Sequence, residues 1–178
     1  MTIKEQFKLL TKFFEQENLD YAVIGAFALY AYGYTRATCD IDFITRIEYQ
    51  KRIIEYLESL GFETLNRSEG FSNHLHPIGS MRIDLVYIGG ETANIVFKST
   101  KKKLLLENLE LPVVSPEHLI ALKLFAIQNE PNRRYKELAD IKEIFQLTNL
   151  DMGTVREFFK KYGLEEYYYE ITGEKTKD

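Results

Sequence analysis

Apolar side chains recur at steps of three and four through Ile3, Phe7, Leu10 and Phe14, which predicts an amphipathic helix reaching about Gln16. Leu19 to Ile24 is a short apolar run closed by Gly25, and Ala26 to Tyr32 are good helix formers stopped by Gly33. That stretch reads as strand, tight turn and short helix. From Arg36 to Ile44 the period changes to two. Arg36, Thr38, Asp40 and Asp42 fall on one side and Ala37, Cys39, Ile41 and Phe43 on the other, as in a half-buried strand. Ile47, Ile53, Ile54, Leu57 and Leu60 return to helical spacing, and Gly61 follows where a helix-ending glycine belongs.

Phe62 to Leu65, Phe71 to His76 and Met81 to Ile88 are separated by the turn-rich segments NRSEG and PIGS and read as strands, with Ala93 to Phe97 and Leu104 to Leu106 as edge strands. Ser115-Pro116-Glu117 supplies an N-cap, a proline at the first helical position and an early acid, opening a helix through about Gln128. Helices over about Arg134 to Leu147 and Thr154 to Tyr162 follow, and the end ITGEKTKD reads as a frayed tail. The order is mixed α/β first and helices last.

A chain of 178 residues predicts one domain, or one with a small helical appendage. Hydrophobic residues at 45% and charged residues at 28% are those of a folded globular protein, not of a disordered one. A net charge of −4 supplies no global basic field, so contact with nucleic acid would have to be local. Cys39 is the one cysteine, which excludes an intramolecular disulfide. The first residues lack the apolar core of a signal peptide and no apolar run is long enough for a bilayer. These features lead us to expect a soluble protein of the cytoplasm.

Candidate chemistry starts with Thr38-Cys39-Asp40-Ile41-Asp42-Phe43. Period two puts both carboxylates on one side of a strand with Cβ atoms roughly 6–7 Å apart, although aspartate is disfavoured in strands. Two ionised carboxylates that close repel unless water screens them or a cation sits between them. Mg²⁺ fits: it takes oxygen ligands and is typically held by one or two carboxylates plus substrate phosphates. An exposed strand face with two surface aspartates satisfies the same pattern. Asp84 repeats it in Met81-Arg82-Ile83-Asp84-Leu85, either as a third carboxylate for a two-metal phosphoryl-transfer site or as a partner for Arg82. Gly25-Ala26, between strand and helix, offers backbone N–H groups to a phosphate, or is glycine for backbone reasons alone.

Val23-Ile24-Gly25-Ala26-Phe27-Ala28, then Gly33, Arg36, Thr38 and Asp40-Ile41-Asp42-Phe43, resemble the signature of the polymerase-β-like nucleotidyltransferase superfamily, with Asp84 on the third carboxylate strand. Within it, the Arg-x-Thr-x-Asp-x-Asp form is similar to the minimal nucleotidyltransferases of the abortive-infection toxin type. Motifs carry the resemblance over about residues 20 to 90. Ser115 to Leu119, Lys123 and Asp140 resemble the family's helical region.

The resemblance implies an α/β (α+β) fold, a twisted mixed sheet flanked by helices, with the nucleotidyltransferase core over residues 1–112 and a C-terminal helical region over 113–178 packed on it. It implies an enzyme that transfers NMP from an NTP such as ATP to an acceptor hydroxyl, with Mg²⁺ or Mn²⁺ held by the catalytic Asp40, Asp42 and Asp84. Gly25, Ala26, Arg36, Thr38 and Lys123 would bind the nucleotide. Ala26 stands where the familiar motif has glycine or serine, which removes one hydroxyl donor. The acceptor is left open between tRNA, protein and small molecule, and an antitoxin is an expected partner. The competing expectation is a binding module or toxin–antitoxin partner that keeps the fold without turnover; the presence of all three aspartates favours the enzyme.

Other residues have plainer readings. Lys123 shares a helix face with Leu119, Ile120 and Ile127, so its stem either carries the charge to a phosphate or snorkels to solvent. Arg36 pairs with Asp40 or meets the triphosphate. Arg133, Arg134 and Lys136 open a helix against its dipole, where a solvated loop, an acidic partner or a phosphate would suit them. His74 and His76 share a strand face at metal-ligand spacing but with no third nitrogen or sulfur ligand, so a structural role is expected, and the hairpin register decides whether they face the carboxylates. Alternation expects Cys39 to be a small core residue.

Overall fold

The structure is a computed structural model that describes residues 2–78, 81–106, 108–147 and 149–174. It divides into two units, Met1–Val114 and Ser115–Asp178. Among the described residues no helix is long and apolar enough to cross a membrane.

The first unit runs α1 (Ile3–Gln16), β1 (Tyr21–Val23), α2 (Gly25–Ala31), β2 (Asp40–Arg46), α3 (Gln50–Ser59), β3 (Glu63–Arg67), β4 (Phe71–His76), β5 (Met81–Ile88), α4 (Gly90–Ser99), β6 (Lys101–Leu106) and β7 (Leu109–Val113). The seven strands form one sheet in the order β3-β4-β5-β2-β1-β7-β6. It is mixed: β2 runs parallel to β5 and β1 parallel to β7, whereas β1–β2, β3–β4, β4–β5 and β6–β7 are antiparallel.

The stripe expected on α1 is what the sheet uses. Phe7 and Phe14 meet the Phe43 ring edge-on at 5.6 and 5.5 Å, so the helix covers the face of β2 that carries Ile41 and Phe43. Beside it, Tyr56 of α3 stacks on Phe13 at 3.8 Å. Ile41, Phe43, Ile83 and Leu85 are buried on that face, each contributing roughly 1.5–3 kcal/mol. Repulsion between two carboxylates about 5 Å apart costs roughly 1–3 kcal/mol at effective dielectric constants of 80 to 20. Burial therefore wins, and because side chains alternate, a buried Phe43 forces Asp42 to the opposite face.

The second unit contains α5 (Pro116–Asn129), α6 (Arg134–Ile144), α7 (Met152–Lys161) and α8 (Glu165–Thr172). The Ser115 side chain accepts from His118 N and Pro116 opens α5, as the sequence indicates. Asp151 caps α7 in the same way.

Four expectations differ from the structure. The strand expected from Arg36 begins only at Asp40; residues 34–38 have no regular structure, so alternation does not govern them, and Cys39 is exposed rather than in the core. Ala93 to Phe97 belongs to helix α4, where Ala93 and Val96, three apart, are buried and Ile95 faces out. There the glycines before it, Glu91 in its first turn and Lys98 in its last outweigh the strand preference of Ile95-Val96-Phe97. Strand β7, which none of the sequence patterns predicts, contains Pro112; its ladder with β1 is only Val23↔Val113, so the missing N–H costs little. Ile171 and Thr172 of the expected tail end α8, and residues 175–178 lie outside the described ones.

Candidate active site

Two parallel strands carry the carboxylates. Asp42 on β2 is directly opposite Asp84 on β5, and Asp40 opposite Arg82. Adjacent strands are about 4.8 Å apart, so the three acidic residues occupy one small area of the open sheet face. The buried neighbours Ile41, Phe43, Ile83 and Leu85 turn them there.

Gly25 closes the site from below. It has φ +64° and opens α2, and a Cβ built on it would stand 2.1 Å from Asp42 Oδ2 and 2.5 Å from Cγ. Any side chain there would displace the carboxylate, so the glycine is needed twice, for the left-handed backbone and for the close approach. Ile24 N donates to the Asp42 carbonyl at 3.0 Å and ties the turn to β2. Ala26 is buried, its methyl within the first unit's core.

Asp84 has two hydrogen-bond donors among the described residues. Asn73 Nδ2, from β4, and Arg82 Nε, from its own strand, both donate to Oδ1 at 2.9 Å. Arg82 is thus a partner of Asp84, as one sequence reading allowed. That hydrogen bond, reinforced by the charges of Asp84, Asp40 and Asp42, holds the guanidinium above its ordinary range against the opposing effect of burial. The Asn73 contact was not legible in the sequence, because it depends on the β4–β5 register, which pairs Asn73 with Asp84.

The donor set is all oxygen, which suits a hard divalent cation. Among the described residues, no three His, Cys, Asp or Glu side chains converge tightly enough to hold an ion by themselves.

The sequence model of a family described as nucleotidyl transferase AbiEii toxin, type IV TA system, matches residues 8–175. The chain belongs to this family. Solved structures agree on the fold. The antibiotic-resistance factor ANT(2″)-Ia superposes with a TM-score of 0.66 at 15% identity, over 95% of this chain and 99% of that one. The lincosamide antibiotic adenylyltransferase LnuA, lincomycin-bound, gives 0.55 at 16% identity, over 83% and 99%. A CCA-adding enzyme with ATP gives 0.51 at 17%, over 98% of this chain and 48% of that one. No curated protein matches in sequence.

The AbiEii-type chain is therefore a nucleotidyltransferase, and its remaining candidate residues divide by position. Thr38 Oγ1 accepts from Asp40 N at 3.3 Å and shapes the entry to β2, while Arg36 Nη1 donates to the Ala37 carbonyl at 3.4 Å. Both precede β2 in the loop that follows α2. His74 and His76 are on the other sheet face, opposite Ile83 and Met81. His74 is buried, with Thr64 Oγ1 3.2 Å from Nδ1 and Ser72 Oγ 2.7 Å from Nε2, and burial pushes its pKa down.

In the second unit, Lys123 neither snorkels nor stands exposed. Its Nζ donates to Glu137 Oε2 at 3.0 Å and Asp140 Oδ2 at 2.5 Å, and all three residues are buried. Arg133 Nη2 donates to Glu137 Oε1 at 2.7 Å, so this helix-opening cation has an acidic partner. Arg134 donates to the hydroxyls of Tyr167 and Tyr135.

Proposed function

We propose that the chain transfers a nucleoside monophosphate from an NTP to an acceptor hydroxyl with release of pyrophosphate, using Asp40, Asp42 and Asp84 to hold Mg²⁺ or Mn²⁺. The observation that carries this is the placement of Asp42 directly opposite Asp84 on paired parallel strands, with Asp40 two residues away and Gly25 left bare beneath them. The acceptor oxygen forms a bond to the α-phosphorus, the bond from that phosphorus to the β-bridging oxygen breaks, and pyrophosphate leaves with the electron pair. A divalent cation held by these carboxylates would neutralise charge on the phosphates and align the groups in line.

The chain's own residues supply the positioning. Asp40 and Asp42 fix the triphosphate end of the site from β2. Asp84, on the neighbouring strand, faces the acceptor and takes up the hydroxyl proton as the new bond forms. Gly25 keeps the turn close to Asp42, and Ala26, Arg36 and Thr38 belong to the nucleotide's surroundings in this reading. Lys123 needs no phosphate contact, since two carboxylates already neutralise it.

Because LnuA is an adenylyltransferase and a CCA-adding enzyme carries ATP, ATP is the first donor to test. The acceptor class is a tRNA, a protein side chain or a small molecule, and the family's toxin description makes an antitoxin the expected protein partner. The cytoplasm, where NTP and Mg²⁺ abound, is the matching compartment. Incubation with each labelled NTP, Mg²⁺ and cell extract should place label in one acceptor fraction. Label in no fraction with any of the four nucleotides would overturn the proposal.

A further inference from the structure

The carboxylate of Asp84 does not stand alone on β5. Asn73 is its cross-strand partner on β4, and Arg82 precedes it by two residues on the same face. Both side chains donate to the same oxygen, Oδ1, at 2.9 Å. Oδ2 takes part in neither of these hydrogen bonds, and Asp42 is the register partner of Asp84 on β2, the strand on the side away from β4. Side-chain carboxylates turn readily about their terminal bond, so the two donors select one orientation from a broad set.

The donors differ in what they can do once a cation arrives. Arg82 carries a positive charge amid Asp40, Asp42 and Asp84, so it competes with any metal for the same field. Asn73 is neutral. Its hydrogen bond to Oδ1 costs the site no negative charge, and it is compatible with a cation on Oδ2. Arrangements in which one carboxylate oxygen is held by a neutral amide while the other binds metal are how outer residues orient a ligand, and their loss typically costs 10–100-fold in metal affinity or activity.

We propose that Asn73 is a positioning residue for Asp84: it turns Oδ2 toward the metal site and is needed for the step that Asp84 serves, not for capture of the triphosphate by Asp40 and Asp42. This rests on the metal-dependent transfer proposed above.

The test uses a pair of equal shape. Asn73→Val and Asn73→Thr are isosteric and both suit a strand, but only threonine keeps a donor, a hydroxyl facing across a cross-strand Cβ separation of about 5 Å. Mn²⁺ binding is followed by electron paramagnetic resonance in the presence of an α,β-methylene NTP analogue, for wild type, both variants and Asp84→Ala. Thermal melting confirms the fold. Asn73→Val is expected to weaken the Mn²⁺ lost in Asp84→Ala by about 10-fold or more, to leave the remaining Mn²⁺ within about twofold and, with substrate, to lower kcat with KM for NTP unchanged. Asn73→Thr should recover part of both losses.

If Asn73→Val binds Mn²⁺ as wild type does while Asp84→Ala does not, the positioning role is overturned and the metal site stands. If Asp84→Ala itself matches wild type, the metal reading fails and this inference with it. Should Asn73→Val not fold, Asn73→Ala removes the same donor and is read by the same criteria.

Discussion

The backbone at Gly25 approaches Asp42 so closely that a methyl group there would stand 2.1 Å from the carboxylate oxygen. Gly25 and Asp42 come from neighbouring elements joined by the hydrogen bond from Ile24 N to the Asp42 carbonyl. The turn and the first candidate ligand are therefore one structural unit. A phosphate turn and a metal ligand, read separately from the sequence, share a single steric constraint.

Gly25→Ala should fail on both counts. Left-handed backbone costs a non-glycine residue about 1–3 kcal/mol, and the methyl displaces Asp42. We expect a lower Tm and transfer reduced at least as far as in Asp42→Asn. Wild-type Tm together with wild-type transfer would show that the turn relaxes and the constraint is not real.

Asp42→Asn keeps the shape beside Gly25 and removes one negative charge. Its fold should survive, with a metal-free Tm within a few degrees of wild type, because the Ile41 and Phe43 packing that sets the register is untouched. Transfer should fall by more than about 100-fold, the scale of losing a group aimed at transition-state charge. The comparison is initial rates at matched Mg²⁺; a variant as fast as wild type would remove Asp42 from the site.

Asp84→Ala separates capture from chemistry. Metal-dependent NTP binding, measured by calorimetric titration, should persist through Asp40 and Asp42, while NMP transfer disappears. Retained binding with absent turnover is the mark of a lost transition-state interaction. Equal transfer by variant and wild type would leave Asp84 as the surface partner of Arg82 and Asn73 only.

The parts of this site that the sequence shows are those governed by a local period. The Phe7 and Phe14 stripe and the Ile41/Phe43 alternation each repeat within a few residues, and burial acts on them directly. Cys39 misled because alternation has meaning only where a strand ladder exists, and β2 begins one residue later. Asn73 stayed hidden for another reason. Its contact to Asp84 is set by the register of a hairpin whose turn includes Pro77 and Ile78, and a one-residue slip would have put His74 there instead. Lys123 showed its apolar helix face but not its partners, which are supplied by the following helix, α6.

His74 predicts how stability depends on pH. Burial disfavours its imidazolium and lowers its folded pKa from the usual 6.5, with Glu58 and Asp84 opposing in part. The unfolded chain then binds the proton more readily, so this contribution is complete above about 6.5 and is lost as pH falls through the folded value. His118 shifts the same way, also through burial. Tm should drop between pH 7.5 and 5.5, and His74→Gln should shrink the drop without abolishing it. An unchanged slope in His74→Gln would mean that its imidazole takes the proton inside the fold at no cost.

Lys123 decides between structural and nucleotide roles in the second unit. Removing one member of a buried ion pair is costly, about 3–5 kcal/mol, because the other charge is left uncompensated. Lys123→Met takes from the buried Asp140 its hydrogen bond and charge pairing with Nζ, whereas Glu137 keeps Arg133. The single variant should therefore lose stability on that scale in denaturant titration. The double variant Lys123→Met with Asp140→Leu should recover a large part, since the carboxylate that lost its lysine is replaced by an apolar side chain of similar size. Kinetics then completes the assignment. If Lys123 only ties α5 to α6, the stable double variant should show wild-type KM for NTP. A KM raised about tenfold or more, equivalent to 1.4 kcal/mol of lost phosphate binding, in a variant of restored stability would return Lys123 to the nucleotide site.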